Sequence, residues 1–151
     1  MSSVAVRTLV RQFLDDESSE TIIDMTGNFE DLRTVLSDGG VQPDGPWVGL
    51  DFIGDEELPV SLAATNDIGM YREFGQVVLH ICAVAKIGIG ANLESRAEVL
   101  RDLFRGMRLS GMVVESVTPL NTGPGATLEF EAGYVSGTIS VAYYFDKILG
   151  I

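Results

Sequence analysis

His80 and Cys82 are the only histidine and the only cysteine in the sequence. They stand two positions apart in an apolar stretch, so in a strand both side chains point to the same face. A thiol beside an imidazole is the arrangement of a Cys-His nucleophile, and it also supplies half of a zinc site. Zinc needs further ligands that the nearby sequence lacks, and small side chains in apolar strands most often pack. We therefore expect neither catalysis nor metal binding at this pair.

Two glycine segments match nucleotide-binding loops only in part. Gly88-Ile89-Gly90 lacks the third glycine of a dinucleotide loop, and Gly123-Pro124-Gly125 lacks the lysine of a phosphate-binding loop. Both predict turns. The acids between positions 51 and 57 do not have the spacing of a calcium loop. The sequence predicts no enzymatic activity and no cofactor.

Negative charge is concentrated in the first half of the chain. Residues 1 to 68 hold 14 of the 22 acids and 3 of the 10 bases, and the whole chain has a net charge of -12. Binding to nucleic acid depends on concentrated Lys and Arg, so we expect no tight contact with DNA. Two interpretations of the acids stay open, a solvated face that keeps the protein soluble and an acidic wall beside a DNA conduit.

Length and hydropathy predict one domain over residues 1-151. The 46% hydrophobic content is enough for a sizeable core. The longest apolar run, residues 77 to 85, is too short to span a bilayer, and the first residues lack the layout of a signal peptide. A single cysteine cannot form an internal disulfide. We expect a soluble protein that is made and kept in a cytoplasm, with no membrane contact.

Two helices are predicted in the first 40 residues. Ser2 or Ser3 can cap a first helix that ends at the acidic run 15 to 17, since negative charge opposes the helix dipole there. A loop follows, and then a short second helix from Asn28 to the glycines at 39 and 40. The acidic region around 17-45 is interpreted as an insertion or long loop.

The rest of the chain predicts a sheet with a further helix. Strands are expected over 47 to 53, ending at the turn signal Gly54-Asp55, and over 74 to 86, 112 to 118 and 135 to 145. Pro59 makes 57 to 63 an edge strand or extended loop, and 126 to 132 is a strand or a mobile arm. A helix is predicted over 93 to 105, with Asn92 as its N-cap and Gly106 as its C-terminal stop. These elements predict an α+β fold, a mainly antiparallel β-sheet with helices packed on one face, and a neighbouring subunit on the other.

The order of elements from Met70 to Asp146 resembles the tail terminator, or tail completion, proteins of long-tailed bacteriophages. The resemblance rests on an Arg-Glu pair leading the long strand in MYREFGQVVLHICAV, an IGIG loop, the helix NLESRAEVLRDLFRG, and the strands MVVESVTPL and TISVAYYFD. It covers roughly the last half to two-thirds of the chain and contains no invariant chemical signature. The region 17-45 departs from the pattern because it is longer and more acidic.

The resemblance implies a structural virion protein without catalysis. Family members form hexameric rings that cap the finished tail tube, stop its growth and provide the head-tail joining surface. The expected partners are further copies of the chain in a homo-oligomer, the tail tube protein and the head-tail connector proteins, with DNA passing through the ring lumen without specific binding. The expected location is the tail-neck junction of the virion, and the host cytoplasm during assembly.

Charged residues are the candidates for a subunit or docking interface. Arg72 and Glu73, expected at the start of the long strand after a loop, either bridge subunits or lie on the surface, the more common position for such a pair. Arg101, Arg105 and Arg108 lie with Arg96 in the only basic cluster of the sequence and are predicted to meet the acidic half of the next subunit.

Two alternatives to the tail terminator function stay open. One is another head-tail connector ring protein, a stopper or adaptor, and the other is a small dimeric regulatory module that binds a ligand.

Overall fold

The structure is a computed structural model that describes residues 3–25, 45–62, 69–84, 89–107, 109, 111–122 and 134–149. The elements in these residues are, in chain order, α1 (Val4–Glu17), β1 (Ile22–Asp24), β2 (Trp47–Leu62), β3 (Gly69–Val84), α2 (Ile89–Arg105), β4 (Met112–Val117) and β5 (Tyr134–Leu149). The helix predicted over 28 to 38, the strand or arm over 126 to 132, and Arg108 lie outside the described residues.

The strands form one sheet with the order β1-β2-β3-β5-β4. All its neighbours pair antiparallel except β1 and β2, which run parallel. Both helices pack against this sheet. The structure therefore confirms the prediction of a single α+β domain with a mainly antiparallel sheet.

The hydrophobic core lies between the two helices and one face of the sheet, which we call the helix face. Alternate residues of a strand share a face, so β3 contributes its odd-numbered residues from Val77 to Ala83 to this layer. The helices contribute residues at spacings of three and four, as their apolar stripes predict. These are Val6, Val10 and Leu14 of α1, and Leu93, Ala97, Leu100 and Phe104 of α2.

The ends of α1 lie where the sequence predicts them. Ser3 has extended backbone angles, and its hydroxyl accepts a hydrogen bond of 3.4 Å from the amide of Val6. This is the geometry of an N-cap. The helix ends at Glu17, after which the amide of Ser18 donates to the carbonyl of Leu14.

Three predictions about local structure are wrong. β1 occupies part of the predicted loop, because three residues are too few to show periodicity and the strand exists through its pairing with Val48 to Leu50. α2 begins at Ile89, so Asn92 lies inside its first turn and does not cap it. Gly54-Asp55 does not turn the chain, since β2 continues through a bulge between Gly54 and Glu56.

The three long strands extend beyond the helix-covered core. β2, β3 and β5 each have 16 residues. β1 stops pairing at Leu50, so from Asp51 onward β3 is the one described neighbour of β2. Pro59 therefore lies on an edge, as predicted, where it removes no ladder hydrogen bond from a second neighbour.

Candidate functional site

Arg72 and Glu73 lie inside β3, four and five residues into the strand, and not after a loop as predicted. Because consecutive strand residues point to opposite faces, the pair is divided between the two faces of the sheet. Glu73 lies on the helix face, in register with Phe145 and Glu57. Arg72 lies on the opposite face, which we call the far face, in register with Asp146.

Glu73 is a buried carboxylate with partners on several elements. Glu73 is only 6% exposed. It is therefore not a surface residue in the single chain, although a surface position is the one favoured from the sequence. Oε2 accepts a hydrogen bond of 2.8 Å from the hydroxyl of Tyr143, and Oε1 accepts one of 3.2 Å from the amide of Ser3. Lys147 stands with its Nζ 3.6 Å from Oε1 and also pairs with Glu57 at 2.7 Å.

This cluster connects the N-terminus of α1 to three strands. A carboxylate at a helix N-terminus is stabilised by the unpaired amides and by the helix dipole. Lys147 spans the sheet from β5 to Glu57 on β2, and the hydrogen bond with Glu57 raises the pKa of its ammonium group. Glu73 therefore fixes where α1 begins relative to the extended end of the sheet.

Gly75 provides the space that this arrangement requires. A Cβ at this position would lie 2.6 Å from the hydroxyl oxygen of Tyr143 and 2.6 Å from the carbonyl oxygen of Ile53. Both distances are far below van der Waals contact. The Tyr143 ring can lie over β3 and reach Glu73 because residue 75 has no side chain.

Arg72 makes a two-point ion pair on the far face. Its Nε and Nη2 donate to the two carboxylate oxygens of Asp146 at 2.7 and 3.0 Å, and its guanidinium lies 4.0 Å from the ring centroid of Tyr144. This hydrogen bonding raises the pKa of Arg72 and lowers the pKa of Asp146. Planar guanidinium groups suit such bidentate, stacked sites better than lysine does.

The arginines of the predicted basic cluster on α2 have different ion-pair partners and point in different directions. Arg101 pairs with Glu98 at 2.5 Å and Arg105 with Asp102 at 2.6 Å, each within the helix. Arg96 points inward, where its guanidinium donates two hydrogen bonds of 2.8 Å to Glu20 and one of 2.9 Å to the carbonyl of Cys82. Arg96 therefore joins α2 to the chain that precedes β1, and Arg108 lies outside the described residues.

His80 and Cys82 share the far face but do not bond through their side chains. Burial raises the pKa of the Cys82 thiol to about 12 against the opposing charge of Arg96, and the thiol donates to the carbonyl of His80 at 3.5 Å. Burial also lowers the pKa of His80, against the opposing charge of Asp51. A thiol with this pKa stays protonated at neutral pH, whereas a cysteine that acts as a nucleophile or metal ligand must be a thiolate. In the part of the chain that the structure describes, no three His, Cys, Asp or Glu residues form a group that could hold a metal ion.

The far face carries an exposed apolar patch at its extended end. Ile53, Leu58 and Val113 are 43%, 44% and 43% exposed, on β2 and β4 at the two sides of the sheet. Phe74 and Tyr144 lie between them, half-buried, with ring centroids 6.3 Å apart. We call these five residues the far-face patch. No helix among the described residues packs on it, because the buried residues of both helices belong to the core on the helix face.

Sequence reasoning found Arg72 and Glu73 but missed the residues that bind them. Tyr143, Asp146 and Lys147 are 70 or more positions away along the chain. Spacing carries no signal over such a distance. Once β3 and β5 are paired antiparallel, the register alone places Asp146 opposite Arg72.

The comparisons with known proteins add information on the fold. No protein-family model matches the chain, and no curated protein matches it. The chain is similar to a solved structure at 20% sequence identity, with 96% of each chain covered and a TM-score of 0.54. The name of that protein is a bare sequence identifier that states no family or activity. At this identity the match shows a shared fold alone. None of the described helices has the length and apolar character needed to cross a membrane.

Proposed function

We propose that the chain is a tail terminator, a structural virion protein that caps the phage tail tube as a hexameric ring. In this role it ends tail polymerisation and offers the surface that joins tail to head. The proposal is supported by the order of the elements and by one observation above all, the far-face patch. Exposed apolar residues gathered on one face of a sheet are typical of interaction sites on soluble proteins.

The chemistry of the far face suits contact with another subunit. Its central charged groups, Arg72 and Asp146, already satisfy each other within one chain. Covering a formed ion pair costs less desolvation than covering a lone charge. A neighbouring subunit can therefore bury the aromatic and aliphatic side chains around this pair, in the head-to-tail contacts that close a ring.

The charge of the chain is more compatible with DNA passing by the protein than with DNA binding to it. Six basic residues of the described part are held in internal ion pairs, namely Arg7, Arg72, Arg96, Arg101, Arg105 and Lys147. Phosphate binding needs bases that are free to release counterions. In the proposed ring, DNA passes through the lumen without specific binding.

Substitutions on the far face test this role. Ile53→Lys and Val113→Lys place a charge in the patch and should leave the subunit folded but unable to form rings. Val99→Lys is the matched control, because Val99 is 59% exposed on α2, away from the far face. Rings that survive both far-face changes, or that are lost with Val99→Lys alone, would contradict the assigned surface.

Deleting the gene from the phage that encodes the chain distinguishes a terminator from a stopper or adaptor. A terminator stops tube growth, so its absence should give overlong tails. A stopper or adaptor seals or bridges the head, so its absence would give normal tail lengths and heads that leak DNA. That second result would reject the terminator role.

A further inference from the structure

A groove opens between the C-terminal ends of α1 and α2. Its volume is about 520 Å³, within the range of sites that take several side chains of a ligand. The apolar residues of its lining, which we call the floor, are Leu9, Phe13, Leu103 and Leu109, and the last three are half-buried against the core. The groove lies on the helix side of the molecule, so it is separate from the far-face patch.

The rim of this groove is acidic. Asp16 and Glu17 lie in the last turn of α1, and Asp102, which is already paired with Arg105, lies in the last turn of α2. A helix C-terminus carries partial negative charge, so acids there lower the stability of the helix. α1 has no basic residue in its last turn to offset them, and Asp16 accepts its hydrogen bond from the neutral amide of Gln12. The rim therefore favours a cation.

The described part of a second copy offers little that could supply that cation. Among the basic residues in the described part of the chain, Arg11 alone makes no ion pair, and it stands in a helix next to the acids of the rim. Between two copies with a net charge of -12 each, these rims repel one another. A partner with a different sequence and a basic segment is electrostatically favoured.

We infer that the groove binds a segment of a partner protein in which Lys or Arg residues flank bulky apolar side chains. The apolar side chains enter the floor between Leu9 and Leu103, and the cations meet Asp16, Glu17 and the carbonyl ends of both helices. This is the groove mode of peptide recognition, in which apolar anchors give affinity and rim charges give orientation. The inference does not depend on the proposed ring.

The test uses the full chain and a synthetic amphipathic peptide of Leu and Lys. Amide shifts of the isotope-labelled protein should change at the C-terminal turns of α1 and α2 when the peptide is added. Asp16→Asn with Glu17→Gln should weaken the Kd about fivefold or more, since each rim ion pair contributes a surface-type interaction. Asp51→Asn with Glu115→Gln removes the same charge on other elements and should weaken the Kd less than about twofold, because distant charges are screened.

Three results would overturn the inference. Equal weakening by both double variants would reduce the binding to general attraction between an acidic protein and a cation. Equal binding of a Ser-Lys peptide would show that the apolar floor plays no part. Shift changes outside the two helix ends would place the peptide elsewhere. Ring formation is not measured in this experiment, so its failure leaves the proposed assembly role standing.

Discussion

The hydroxyl of Tyr143 on β5 donates a hydrogen bond of 2.8 Å to Oε2 of Glu73 on β3, and both groups are buried. A buried carboxylate is stable only when its oxygens are bonded. The amide of Ser3 bonds the other oxygen, so one residue holds the start of α1 and the extended end of the sheet together.

Tyr143→Phe removes this bond and leaves Glu73 short of one donor. We expect the free energy of unfolding to fall by about 1.5 kcal/mol or more, as is usual for hydrogen bonds to charged groups. Tyr144→Phe is the control, because it keeps the ring over Arg72 and should change stability by less than about 0.5 kcal/mol. Denaturant unfolding of both variants, of Glu73→Gln, and of Glu73→Gln combined with Tyr143→Phe measures the coupling between Tyr143 and Glu73. Equal losses for Tyr143→Phe and Tyr144→Phe would contradict the role of Glu73.

Gly75→Ala places a methyl group against the Tyr143 hydroxyl and the Ile53 carbonyl, each at 2.6 Å. Overpacking of this kind should lower stability by about 1–3 kcal/mol. Adding Tyr143→Phe should not restore the stability, since the ring carbon Cζ at 2.8 Å and the backbone carbonyl stay in place and the bond to Glu73 is lost. Gly106→Ala meets its nearest atom at 3.5 Å and should be neutral or slightly stabilising. Thermal unfolding checks all three, and a neutral Gly75→Ala would show that the ring position is not so constrained.

Arg96→Gln breaks the inward ion pair that joins α2 to Glu20. Because both side chains are largely buried, removing one partner should cost about 3 kcal/mol. Arg105→Gln breaks a pair of similar length on the exposed face of the same helix and should cost less than about 0.5 kcal/mol. Unfolding curves compare the two. If their losses were alike, the structural role of Arg96 would be rejected.

His80 should make stability depend on pH between neutral and mildly acidic conditions. Burial lowers its folded pKa below the ordinary 6.5, so below 6.5 the unfolded chain binds a proton that the folded chain does not. Stability is therefore unaffected above 6.5 and falls as the pH drops below it, by at most about 1.4 kcal/mol per pH unit. The sequence has one histidine. His80→Asn should therefore reduce the difference between the unfolding free energies measured at about pH 7.5 and at about pH 5.5. An unchanged slope would assign the dependence to the carboxylates.

The sequence allows prediction of most long elements because their signals are local. α1 shows apolar residues at helical spacing, a serine cap and an acidic stop, and β5 alternates clearly between its two faces. β1 was not predictable, since three residues have no periodicity and pairing with β2 alone makes them a strand. Asn92 is a good capping residue inside a helix that starts earlier, which reflects how weakly single caps fix a helix boundary.

The candidate site was predictable only as single residues. Arg72 and Glu73 stand out in the sequence, but which of them is buried depends on the face that each takes in β3. Arg96 is bonded to Glu20 across 76 positions, and nothing local distinguishes it from Arg101. Packing decides which charges are structural and which remain on the surface, so a basic cluster in the sequence does not predict a basic surface.

The most direct measurement is the native mass of the purified chain over a wide concentration series, with electron micrographs of the same samples. The proposed function predicts that a species with the mass of a hexamer becomes more populated as the concentration rises. The micrographs should show rings with a central hole. A dimer mass that holds from the lowest to the highest concentration would contradict it. A closed two-fold dimer uses the same patch on both subunits and leaves no free contact from which a ring could grow.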